Sequence, residues 1–68
     1  MNTYLAFITH NVTMNTLEAA WFEELRDASG NVTEIRPVSR RNYSIEQKDE
    51  FAADCGPAAQ KYITMAGW

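Results

Sequence analysis

The period of the hydrophobic positions changes along the chain. In TYLAFIT, Thr3 to Thr9, apolar side chains occupy both alternating sets, with Tyr4, Ala6 and Ile8 on one side and Leu5 and Phe7 on the other. So short a run of aromatic, β-branched and aliphatic residues bounded by Asn predicts a strand. A strand apolar on both faces needs cover on both. In a chain of 68 residues, either helices pack above and below it or a second copy closes one face.

From Asn15 the spacing turns helical: Leu17, Ala20, Trp21, Leu25 and Ala28 recur every three or four residues. Asn15 with Glu18 reads as a capping box, and Gly30 as the left-handed residue after the last turn. The expectation is an amphipathic helix over residues 15–29, with Glu23, Glu24 and Asp27 on its solvent face. Phe22 interrupts that polar face and is a candidate partner contact. NVTEIR then reads as a short strand over 31–36, ended by Pro37, which has no amide hydrogen for a sheet ladder. The arrangement leans to a βαβ unit with the two strands parallel.

Beyond the segment IRPVSRRNYS, Ser44 with Gln47 forms a second capping box for a helix over 44–55, with Ile45, Phe51, Ala52 and Cys55 on its apolar side. Gly56 stops it and Pro57 suits the first turn of another helix. That helix would carry Ala58, Ala59, Tyr62, Ile63 and Met65 or Ala66 on one side, although Tyr62 to Thr64 also has strand propensity. The predicted fold is therefore α+β, a single domain over residues 1–68: an N-terminal strand, an amphipathic helix, a second short strand, and one or two C-terminal helices.

Composition raises a stability problem. A chain of this length buries on folding only about 60% of the surface that it exposes when unfolded. Hydrophobic residues make up 46% of it, with large rings at Tyr4, Phe7, Trp21, Phe22 and Phe51, which argues for a packed core. Cys55 is the only cysteine and His10 the only histidine, so neither an internal disulfide nor a zinc site of Cys and His ligands is expected. Capping or association with another chain, such as a homodimer, is left to supply the remainder. A lone free thiol and no signal-like or membrane-length apolar run point to a cytoplasmic protein with no membrane partner. The Asn-x-Ser/Thr triplets at Asn11, Asn31 and Asn42 then read as turn and cap residues rather than glycosylation sites.

Charge is distributed in blocks. Residues 1–17 carry none, 18–34 and 44–54 are acidic, and 36–41 hold three of the six cations, in a chain of net charge −3. Arg36, Arg40 and Arg41 beside Tyr43 have the chemistry of a nucleic-acid contact, guanidinium forks for phosphate and a ring for stacking. Three arginines neutralise few phosphates, and a pI near 4.9 opposes a polyanion. The same side chains suit an acidic protein surface, where Arg and Tyr anchor interfaces. The bland alternative pairs them with Glu34, Glu46, Asp49 or the acids of the 15–29 segment.

No catalytic constellation, cofactor fingerprint or metal cluster stands out. Cys55 falls on an apolar helix side, where cysteine behaves as a small hydrophobe, and His10 closes a strand. The sequence therefore reads as a non-enzymatic protein-binding module, an inhibitor or regulator of a larger protein of the kind phages and mobile elements use against host machinery. Its candidate contacts are Arg36, Arg40, Arg41, Tyr43, Phe22, Glu23, Glu24 and Asp27. The alternatives are a nucleic-acid-binding protein, a mimic that presents Glu18, Glu23, Glu24 and Asp27 as phosphate substitutes, and a structural subunit of an assembly.

Overall fold

A computed structural model describes residues 2–68 and places three strands first and the helices last. Strands β1 (Asn2–Asn11), β2 (Thr16–Arg26) and β3 (Val32–Tyr43) form an antiparallel sheet in the order β1-β2-β3. A short 3-10 turn (Ile45–Gln47) leads into α1 (Lys48–Cys55), and α2 (Pro57–Ala66) follows directly. The α+β class, the first strand and both C-terminal helices agree with the sequence reading.

The helix expected over 15–29 is instead the central strand. Leu17, Ala19 and Trp21 alternate toward the helices, while Ala20 and Phe22 face the other way. The apparent 3.6-residue period was one of two patterns that the same residues satisfy. Ladders on both sides of β2 decide between them, because a central strand gains backbone hydrogen bonds and cross-strand side-chain pairs that helix propensity does not anticipate. Gly30, φ +85°, serves the β2–β3 hairpin rather than a helix end. In that turn Asp27 Oδ1 accepts from the amides of Ser29 and Asn31, and the Gly30 amide donates to the Asp27 carbonyl. Asn15 likewise adopts φ 52° in the β1–β2 turn, where Asn11 Oδ1 accepts from the Met14 amide.

The second strand of the sequence reading is longer than expected and antiparallel, which removes the βαβ unit. Pro37 does not end it, because β3 is an edge strand and Val38, next to Pro37, is the extra residue of a β-bulge opposite Trp21 and Phe22. An edge with a bulge is where a residue lacking an amide hydrogen costs least. IRPVSRRNYS is thus strand up to Tyr43.

Both helices pack on one face of the sheet, at the end where the chain leaves it. The core consists of Ile8, Leu17, Ala19, Tyr43, Phe51, Cys55, Ala59 and Ile63, with Leu5, Trp21, Tyr62, Ala66 and Trp68 around it. Phe51 lies edge-on between Tyr43 (centroids 5.1 Å apart) and Trp68 (6.3 Å). The Trp68 indole donates to Asn15 Oδ1, tying the end of the chain to the first turn. Gln47 Oε1 accepts from the Ser44 amide and holds the entry to α1. Eleven of the twelve residues of β3 are exposed, so the far end of the sheet is bare on both faces. The radius of gyration is 14.1 Å, against about 11 Å for a compact chain of this length.

Candidate protein interface

Register assigns every paired strand residue to a face. On the outer face, away from the helices, Tyr4 lies opposite Phe22 and Phe22 opposite Pro37, so the three form one row across the sheet. Phe7, opposite Ala20, adds a ring 6.0 Å from that of Phe22, and Ile35 flanks the row on the other side. Tyr4 is 37% exposed, Phe7 41% and Ile35 54%; Phe22 is half-buried among them. These side chains form an apolar surface that no described element of the chain covers. Of the two arrangements expected to cover β1, helices above and below it are not found: both described helices lie on one face.

Charges border this surface in pairs. Arg40 lies 5.9 Å from the Phe7 ring centroid and 3.5 Å from Glu18, and Arg26 meets Glu24 at 2.8 Å. On the helix side Arg36 is bonded to Glu23, and Arg41 to Glu50 and Asp54. Each of the four arginines is therefore held by an acid. The ion pair with Glu23, and then Glu34, raises the Arg36 pKa above its ordinary value. The acids of β2 do not form a single row either: Glu18 and Glu24 face outward, Glu23 faces the helix side, and Asp27 is engaged in the turn.

The residues singled out from the sequence thus separate. Phe22 and Arg40 lie on the outer face, with Glu24 at its edge. Arg36 and Glu23 pair on the other face, and Arg41 anchors β3 to α1. Tyr43 is in the core, fully buried, so its ring is not available for stacking with a partner. Tyr4, Phe7, Ile35 and Pro37 were not among the candidates. The alternation of Tyr4 and Phe22 on neighbouring strands carried the signal, but it becomes legible only once 16–26 is a strand.

Burial, and secondarily Asp54, pushes the Cys55 thiol pKa up, so the thiolate needed of a nucleophile is disfavoured. A cavity of about 530 Å³ opens between α1 and α2 beside Lys48, Gln60 and Trp68 and includes neither Cys55 nor His10. Among the described residues no three His, Cys, Asp or Glu side chains are grouped to hold a metal ion, and no helix is long and apolar enough to cross a membrane. The chain matches no family model, no curated protein and no solved structure.

Proposed function

We propose that this chain is a non-enzymatic protein-binding module, an inhibitor or regulator of a larger protein, and that it binds through the outer face of its sheet. The observation that carries this reading is the uncovered Tyr4–Phe22–Pro37 row with Phe7 and Ile35 beside it. Apolar and aromatic groups of this kind form the desolvated centre of an interface, and the paired charges Arg40–Glu18 and Arg26–Glu24 supply its polar rim. A nucleic-acid role is less well supported, because every arginine already has an acidic partner and the net charge is −3. The acidic mimic loses its basis with the helix that was to present it.

The test is affinity capture from the native host with wild type and with Tyr4→Ser plus Ile35→Ser, whose fold is checked by circular dichroism. The double variant is expected to lose a specific captured protein that wild type retains. Equal capture by a folded double variant would overturn the outer-face reading. Binding to DNA or RNA that weakens steeply with salt would favour the alternative.

A further inference from the structure

The two edges of the sheet are unlike. Edge strands expose unpaired backbone groups, and proteins usually guard them with charge, proline or bulges. β3 has all three: Arg36, Arg40 and Arg41, Pro37, and bulges at Thr33 and Val38. β1 runs for ten residues with no charged side chain and no proline, and is interrupted only where Ala6 is the extra residue opposite Trp21 and Ala20. Beside that interruption a cleft of about 160 Å³ opens between β1 and α2, lined by Leu5, Ile8, Ala58 and Tyr62 among others. An unguarded apolar edge next to an apolar cleft is suited to receive another strand.

The bulge determines which strand fits. Side chains directly opposite in a sheet share a face, and an extra residue reverses the alternation. Thr3 and Leu5 face the helices before Ala6, and Ile8 and His10 do so after it. When β1 is laid antiparallel to a copy of itself about a twofold axis between Ala6 and Phe7, every pairing flanking the bulge joins like faces. Leu5 meets the partner's Ile8, Tyr4 meets the partner's Thr9, Thr3 meets the partner's His10, and Asn2 meets the partner's Asn11. Apolar thus opposes apolar beside the core, and polar opposes polar toward the ends. Because β1 is uncharged, this self-pairing sets no like charges against each other.

We propose that a second copy of this chain occupies the β1 edge, joining two three-stranded sheets into one continuous six-stranded sheet with twofold symmetry. The interface is isologous. It brings the outer faces of the two copies side by side, so the Tyr4–Phe22–Pro37 rows form a single larger surface. The pairing does not depend on the outer face having a partner.

Sedimentation equilibrium of the purified chain tests this. Wild type is expected to sediment as a dimer of the 7.7 kDa chain. Tyr4→Lys with Thr9→Lys sets lysines opposite one another at two symmetry-related places and is expected to give a folded monomer. Tyr4→Glu with Thr9→Lys sets opposite charges there and is expected to remain a dimer. In both variants the residue-9 substitution lies beside Glu18 of the same chain, so intrachain effects at that position are matched. A monomeric wild type would overturn the proposal, and so would a lysine pair that leaves the dimer intact. If both double variants are monomers, this register is wrong.

Discussion

The Tyr43 hydroxyl donates to Asp54 Oδ2 at 2.7 Å, and this one bond fastens the last residue of the sheet to the first helix. Arg41 donates to the same oxygen at 3.0 Å while its guanidinium lies 4.9 Å from the Tyr43 ring centroid. The Tyr43 ring is fully buried against Phe51. Tyr43→Phe keeps the packing and removes the bond to a charged acceptor, and is expected to cost about 1.5–3 kcal/mol. Tyr43→Ala also opens a cavity, for a loss of about 3–5 kcal/mol, enough to unfold a domain this small. Urea denaturation of both variants measures the difference.

Alkaline stability follows from the same corner. Burial, then the Asp54 bond, raises the Tyr43 pKa in the folded state, and burial also raises that of Cys55. A group raised on folding stabilises fully below its unfolded pKa, and that contribution declines as pH rises toward the folded value. The unfolded values are about 8.5 for Cys and about 10 for Tyr. Thermal midpoints should therefore hold level through neutrality and fall as pH rises above these values, in two steps. Cys55→Ala should remove the earlier step and leave the later one.

The arginines of IRPVSRRNYS should differ in effect. Arg41 joins β3 to α1 through Glu50 and Asp54, whereas among the described residues Arg36 pairs only with Glu23, across the sheet. Arg41→Gln should lower the melting temperature more than Arg36→Gln. Equal shifts would mean that the α1 contact contributes nothing beyond an ordinary exposed ion pair.

Gly30 separates the hairpin from the helix that the local sequence resembles. At φ +85° a side chain has open space but an unfavourable backbone, so Gly30→Val should cost about 1–2 kcal/mol, while Gly30→Asn should cost less. Equilibrium denaturation checks the order.

How much was legible depended on where the deciding interactions lie. β1, α1 and α2 were readable because their signals are local: an apolar run between Asn residues, the Ser44–Gln47 pair, and the Gly56-Pro57 junction. β2 was not, because Leu, Ala and Glu favour helix locally, while the ladder partners that make a strand, Tyr4 and Pro37 for Phe22, lie far away in sequence. With 16–26 read as helix, no register reveals the outer row and Tyr43 reads as an available ring. The acids that would hold the arginines were partly anticipated, since Glu18 and Glu23 belong to the 15–29 segment; Glu50 and Asp54 were not.

His10 leaves one defect. Among the described residues its buried Nε2 has no hydrogen-bond partner. An unsatisfied buried polar atom costs about 1–3 kcal/mol, so His10→Leu is expected to raise stability in urea by about 1 kcal/mol or more. A loss of stability would show that the imidazole makes a compensating contact.

The outer-face claim is tested most directly by site-specific photocrosslinking in the native host. A photoreactive side chain at Tyr4 would be compared with one at Met65, which is more exposed but lies on α2. Position 4 is expected to crosslink a specific protein other than this chain itself, and position 65 is not. The same yield at both positions, or a specific partner at position 65 alone, would contradict it.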